Sequence, residues 1–573
     1  MATGENTTPK EPTGGDVLVE VMRRHGVDTA FGVISIHNLP LVEAVARELN
    51  FVEVRHEAAA VNAADGYARA SGGIGVAITS TGTGAGNAAG SMLEALTAGS
   101  RVLHVTGQIE SEYLGDAVAD SAGDRGVRSV RGVIHEVPRQ LQMLDAVSKY
   151  ASTIGDAKGV EAELEAAIAQ ILAAPQGPAS VEWPSDLQYL ARPDEQRPAE
   201  ATATGLAGSG PGTPDPSAVA EAVRLLQQAK RPLIWVGGGA AGAGGELTRI
   251  LHTLGAGLLT SNSGRAIVPE DDELVIGNFA ANPGVAALLG ESDLLLSVGT
   301  HFRSNETKSY HLSLPSPRIQ IDVDPAAIGR VYPADVGIVA DAAQALAAIS
   351  AGLTTTSVDE DWAAKVTATR TSVRADLTEY IGGYAEICEG LRAQLPRESV
   401  VARDVTIPSS QWGNRLFPFY ERETNVFPLG GGIGQGLAMG IGAAHARPDV
   451  PTVVIAGDGG LAVHLGELAS LAGSRAWCVV LVFNDGGYGV LRNMQEANGF
   501  DRAGVDLYTP RFDLLAASLE VPYALVQGPG QFEKILADAV ATRGPAIVEV
   551  DVAAISPTPG AFTPPVHIPV REG

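Results

Sequence analysis

The chain has 573 residues, too many for one hydrophobic core, and 45% of them are hydrophobic, which fits a globular protein of three or four domains. Forty Lys+Arg against 66 Asp+Glu give a net charge of −26, which excludes nucleic acid and anionic membrane as partners held by charge. Two cysteines, Cys388 and Cys478, make no disulfide framework or metal finger, the N-terminus has no apolar signal core, and no stretch approaches about 18 uninterrupted apolar residues, so the expected location is the cytoplasm, away from membranes.

Residues 1–15, rich in Thr, Gly, Pro and Glu, read as a disordered tail. Over residues 16–190 helical and strand patterns alternate: helix 17–25, strand 29–33, helix 39–49, strand 51–55, helix 58–70, strand 75–79, helix 87–98 and strand 101–106. Short strands alternating with helices predict a parallel sheet covered on both faces. Residues 191–217 form a Pro/Gly-rich linker, and residues 218–353 repeat the alternation, with strands at 232–236, 257–260, 294–298 and 319–322. Gly237-Gly238-Gly239 follows the first of these strands but is not a Gly-x-Gly-x-x-Gly, and it reads as a tight strand-to-helix turn. After a second linker at 354–361, residues 362–555 make a third α/β segment, and the Pro-rich residues 556–573 are expected to extend over the active site or against a neighbour. The fold class is α/β, three consecutive doubly wound parallel-sheet domains.

The third segment carries the densest chemistry. Asp458, in Gly457-Asp458-Gly459-Gly460, and Asp485, in Asn484-Asp485-Gly486-Gly487-Tyr488, each follow a short apolar run (453–456 and 479–483). Both side chains are therefore expected at the carboxyl ends of buried parallel strands, where open α/β sheets bind ligands. Residues 461–471 between them have helical spacing. Two carboxylates and accessible glycine carbonyls make a hard-oxygen site for Mg²⁺ or Ca²⁺, and the same glycine backbone offers N–H groups to a phosphate.

This pattern resembles the thiamine diphosphate enzymes of the pyruvate decarboxylase and acetolactate synthase superfamily. The resemblance covers nearly the whole chain in a three-domain order: pyrimidine-binding, central and diphosphate-binding. It implies thiamine diphosphate and Mg²⁺ as cofactors, with Asp458, Asp485 and the carbonyl of Gly487 as metal ligands and Gly457, Gly459, Gly460 and Tyr488 beside the diphosphate. Asp485 stands where a second Asn is commoner in the family, which keeps an oxygen donor and adds charge. Arg55-His56-Glu57-Ala58-Ala59-Ala60, leading into Gly66-Tyr67-Ala68-Arg69, resembles the family's catalytic-glutamate segment. Glu57 is thus expected to hydrogen-bond the cofactor's aminopyrimidine in a dry pocket and relay its proton. In Leu429-Gly430-Gly431-Gly432-Ile433-Gly434-Gln435-Gly436, Ile433 falls where the family places the apolar wedge beneath the bent cofactor, and Gly82, in Thr81-Gly82-Thr83-Gly84, is expected near the same cofactor. In the family the two halves of each site come from two subunits, so a homodimer or homotetramer with shared sites is implied. Some acetolactate synthases hold FAD on the middle domain; no motif here compels FAD or ADP.

The substrate side is mixed. His37 lies six positions past Phe31, where benzaldehyde lyase-like members carry a histidine, and Ser35-Ile36 breaks the Pro-Gly-Gly of acetolactate synthases. A histidine suits proton transfer to a substrate oxygen near neutrality. Gln108, in Thr106-Gly107-Gln108-Ile109, resembles an acetolactate synthase segment, and His135 stands in for a substrate-contacting Gln of that family. Arg492 and Gln495, in Val490-Leu491-Arg492-Asn493-Met494-Gln495, resemble the Arg and Gln of another such segment without its Trp, and Glu496 adjoins them. The expected reaction makes or breaks a carbon–carbon bond beside a carbonyl: first an acetolactate synthase-like carboligase acting on 2-oxo acids, next a 2-oxo acid decarboxylase or a lyase of 2-hydroxy ketones or 2-hydroxyacyl-CoA.

Overall fold

The computed structural model describes residues 12–114, 117–118, 127–128, 132–190, 212–555 and 562–563. The expected N-terminal tail, the first linker and the C-terminal tail therefore lie largely outside the described residues, although the first helix already begins within the expected tail, at Gly14–Arg24. Contacts divide the chain into two compact units. One comprises residues 1–208, 428–448 and 464–476, the other residues 209–427, 449–463 and 477–573.

Three six-stranded parallel sheets form the fold. In the first unit the strand order is Asn50–Glu53, Thr29–Gly32, Gly75–Thr79, Val102–Gln108, Ala179–Pro184, Tyr150–Thr153. The inner strands are buried along their full length, as a sheet covered by helices on both faces demands. The connections reverse direction between Thr29–Gly32 and Gly75–Thr79, so the loops beyond these two strands open the crevice where such sheets receive ligands.

The second unit holds the other two sheets. Its central sheet runs Val275–Gly277, Gly257–Thr260, Pro232–Val236, Leu294–Val298, Arg318–Asp322, Val336–Val339, the order of a dinucleotide-type fold. The Gly237-Gly238-Gly239 turn has a structural cause in this chain. A Cβ on Gly237 would collide with the carbonyl oxygen of Gly299, so the triplet lets two strand-end loops meet. The last sheet runs Asn425–Val426, Val400–Arg403, Thr452–Gly457, Cys478–Asn484, Ala546–Asp551, Tyr523–Val526, which repeats the topology of the first sheet. Both cysteines are free and buried. Among the described residues no helix is long and apolar enough to cross a membrane.

In the first unit the helices Glu57–Ser71 and Gly436–Ala446 cross at backbone contact. A Cβ at Gly66 would meet the Met439 carbonyl, and one at Gly442 would meet the Ala63 carbonyl, both inside any allowed distance. A Gly442→Ala substitution must pry the two helices apart, and overpacking of this kind costs about 3 kcal/mol. The expected result is a urea midpoint lowered accordingly at unchanged slope; an unshifted midpoint would show that the crossing is not tight.

Candidate functional site

Glu57 is the first residue of its helix, and its position is fixed from both ends. The preceding His56 caps the helix, its Nδ1 accepting from the Ala58 amide at 3.1 Å. One residue earlier, the buried Glu467 carboxylate accepts the Arg55 amide at 3.1 and 3.2 Å. The Glu57 carboxylate itself accepts from Asn87 Nδ2 at 3.0 Å, and it borders the glycine-rich loop from strand Gly75–Thr79 where it enters helix Thr83–Ala98: a Cβ on Gly84, in the first turn of that helix, would lie 2.9 Å from Glu57 Oε1. Asn87 and Glu467 were not singled out by sequence reasoning. Their partners are far away in the chain, and no local spacing reports such a pairing.

The same loop borders the two histidines. A Cβ on Gly82 would sit 2.8 Å from the His135 carbonyl oxygen, and the His135 ring meets the His37 ring edge-on at 5.1 Å between centroids. His37 Nδ1 is buried without a hydrogen-bond partner, while the His37 carbonyl accepts from Gln188 Nε2 at 2.7 Å. Burial first, and the facing His135 second, hold the His37 imidazole below its usual value, so it is neutral at pH 7. The loop is braced by Gln140, whose Oε1 accepts from the Gly82 amide at 2.7 Å and from the Thr81 hydroxyl at 3.0 Å. Exposed Ile34, Ile36 and Ile134 flank the pair with apolar surface.

In the second unit Asp458 and Asp485 come together at adjacent strand ends, as their motif predicts. Asp458 is fully buried; its Oδ1 accepts the Asp485 amide at 3.2 Å, and its Oδ2 is buried without a hydrogen-bond partner. Burial raises both carboxyls, and the opposing Asp458 lifts Asp485 further, to about 6. Two desolvated carboxylates, one with a partnerless oxygen, suit a hard divalent cation, which would relieve their mutual repulsion. The Gly487 carbonyl lies at the same turn, 2.7 Å from where a Cβ on Gly459 would be. Among the described residues no three acidic, histidine or cysteine side chains converge on a metal site, so carbonyl, phosphate or water oxygens would have to complete the shell of a metal here. The residues present fit Mg²⁺. Gly457 ends strand Thr452–Gly457 and Gly460 lies in the helix Asp458–Val463, and the Tyr488 amide donates to the Val505 carbonyl at 2.8 Å. The expected single helix over 461–471 is instead two, Asp458–Val463 and Glu467–Ser474, broken at His464-Leu465-Gly466.

Ile433, in the first unit, is 39% exposed although large and apolar. The remaining substrate candidates are engaged by the chain itself. Gln108 is buried, donating to Glu182 Oε1 at 3.1 Å and accepting from the Ile109 amide at 2.9 Å. Arg492 spans the turn after Asn484, donating to Asp506 Oδ1 (2.9 Å), the Asp485 carbonyl (3.2 Å) and the Gly486 carbonyl (3.3 Å). Gln495 pairs with both backbone groups of Ala503, and Glu496 accepts from Arg502 Nε at 3.0 Å.

Comparison with known proteins accords with this geometry. Residues 12–147 match the thiamine pyrophosphate enzyme N-terminal TPP binding domain, residues 219–349 its central domain and residues 408–550 its C-terminal TPP binding domain. The chain is 29% identical to a probable 2-ketoarginine decarboxylase of Pseudomonas aeruginosa, over 94% of each chain. It is 26% identical to a probable acetolactate synthase large subunit of Methanocaldococcus jannaschii, over 94% of this chain and 91% of the relative. It is also 26% identical to the chloroplastic acetolactate synthase of Arabidopsis thaliana, over 95% of this chain and 82% of the relative.

Proposed function

Because the chain belongs to the thiamine pyrophosphate enzyme family, we propose that it is a thiamine diphosphate- and Mg²⁺-dependent 2-oxo acid decarboxylase with its proton-transfer groups at His37 and His135. The observation that carries this reading is that the Glu57 carboxylate and the His37–His135 pair border one glycine loop at a sheet switch point. Bound thiamine diphosphate would supply both a carbon nucleophile for the 2-oxo carbonyl and a cationic ring that takes up the electron pair of the C–C bond when CO₂ leaves. Asp458, Asp485 and the Gly487 carbonyl would hold Mg²⁺ on the diphosphate, with Gly457, Gly459, Gly460 and Tyr488 around it. Glu57 would hold a proton at the aminopyrimidine, oriented by Asn87, with Gly82 close by and Ile433 supporting the bend. His37, neutral and with a free Nδ1, is suited to move a proton at the product, with His135 as its relay to solvent.

Carboligation to an acetolactate-type product is the second reading. Its specific support is the overall similarity to two acetolactate synthases, whereas Gln108, Arg492 and Gln495, on which the sequence ranked it first, have their polar atoms bound within the chain. A lyase reaction on 2-hydroxy ketones or 2-hydroxyacyl-CoA would use the same histidines in reverse. The discriminating experiment incubates the holoenzyme with pyruvate and with a guanidino-bearing 2-oxo acid, the latter chosen from the name of the Pseudomonas relative. CO₂ with an equal amount of aldehyde supports decarboxylation, acetolactate supports the second reading, and no CO₂ from any 2-oxo acid removes both. Under the first reading His37→Phe, which keeps a ring in place, lowers turnover about 100-fold with cofactor affinity unchanged. Equal turnover would take His37 out of the chemistry.

The proposal includes a homodimer or homotetramer in which a second copy completes each site, tested by sedimentation at working concentration. The unpaired buried cysteines support a reducing, cytoplasmic setting. FAD on the central domain is read from the visible absorbance of the purified protein, and ADP from mass spectrometry of the ligand released on denaturation.

A further inference from the structure

We propose that Glu94 is a positioning residue for the reaction: it fixes the glycine-rich loop that carries Ile433, through the backbone amides of Leu429 and Gly430. This rests on the wedge reading of Ile433 given above.

Glu94 lies on the helix Thr83–Ala98 and is 3% exposed. Its Oε1 accepts the Leu429 amide and its Oε2 the Gly430 amide, both at 2.6 Å, across 335 and 336 positions of sequence. Charge-assisted bonds of this length to two consecutive N–H groups are about twice as strong as neutral ones. The buried charge is balanced by Arg69, whose Nη2 donates to Glu94 Oε1 at 3.1 Å and to Asp65 Oδ2 at 2.6 Å. Asp65 and Arg69 sit on the Glu57 helix, so one buried ionic cluster joins that helix to the loop.

The loop needs such an anchor. Residues 427–435 have neither helix nor strand, and four of the six residues from Leu429 to Gly434 are glycines, which lose the most conformational freedom when ordered. Ile433 follows the anchored Gly430 by three positions, and its side chain stands partly exposed. A carboxylate gripping the loop entry therefore sets where that side chain stands. The contact is close enough to exclude any side chain at its loop end, since a Cβ on Gly430 would lie 2.7 Å from Glu94 Oε2.

Three variants test this: Glu94→Gln, Gly430→Ala and, as the reference, Ile433→Ala. Glu94→Gln presents an amide NH₂ to one of the two N–H groups. Gly430→Ala pushes the carboxylate aside while leaving the Arg69–Asp65 pair intact, so it decides the matter if Glu94→Gln fails to fold. Each holoprotein is measured for Mg²⁺-thiamine diphosphate affinity by calorimetry and for exchange of the bound cofactor's C2 proton into D₂O by NMR. The inference expects affinity unchanged and exchange slowed about 100-fold in all three, the size of effect a misplacement near 1 Å produces. Slow exchange in Ile433→Ala with wild-type exchange in the other two overturns the role of Glu94 and leaves the wedge standing. Wild-type exchange in Ile433→Ala overturns the wedge reading, and the role of Glu94 with it.

Discussion

Replacing Glu57 by glutamine is expected to lower turnover about 1,000-fold, the scale of a lost general acid–base group, while the protein stays folded and still takes up its cofactor. Glutamine keeps the side-chain length, its carbonyl can still accept from Asn87 Nδ2, and the helix start is secured independently by His56 and by Glu467. What changes is the capacity to hold and release a proton. Single-turnover kinetics beside a circular dichroism spectrum checks both halves, and wild-type turnover in a folded Glu57→Gln protein would remove this residue from the mechanism.

The second large effect is expected at Asp458. An Asp458→Ala protein should lose Mg²⁺-dependent binding of thiamine diphosphate by at least about 100-fold, since tampering even with residues behind a metal ligand costs up to that much. The carboxylate is fully buried, holds the Asp485 amide, and has one oxygen with no partner in the protein. Without a cation, its neighbour Asp485 is pushed to about 6 by burial and by the charge of Asp458, so the pair is an arrangement that disfavours itself until a cation binds. The variant should therefore also lose any stabilisation by Mg²⁺ with cofactor, read as a thermal shift. A shift equal to the wild-type one would place the metal elsewhere.

Much of the fold that positions these residues was legible in the sequence, for a definite reason. Buried parallel strands are short apolar runs closed by Gly or Asp, and Thr452–Gly457 and Cys478–Asn484 stand almost where their runs predicted, so Asp458 and Asp485 were placed with them. Glu57 was singled out by the resemblance of its segment to the family's catalytic-glutamate segment, and the structure places it at the start of helix Glu57–Ser71. The rest depended on pairings that spacing does not encode. Glu94 finds Leu429, and Glu467 finds Arg55, across more than 300 positions. Gln108 and Arg492 sit in segments resembling substrate-binding ones, yet buried Glu182 and the carbonyls of Asp485 and Gly486 take their hydrogen bonds. The break at His464-Leu465-Gly466 was hidden because the apolar spacing continues across it.

Under the proposed function the chain would bind thiamine diphosphate through a divalent cation held by Asp458 and Asp485. Isothermal calorimetry of the purified protein with thiamine diphosphate, in Mg²⁺ buffer and again with excess chelator, tests it most directly. Saturable uptake of one cofactor per chain that disappears with the chelator is the predicted result; no heat in Mg²⁺ buffer, or the same binding with the metal removed, would contradict it.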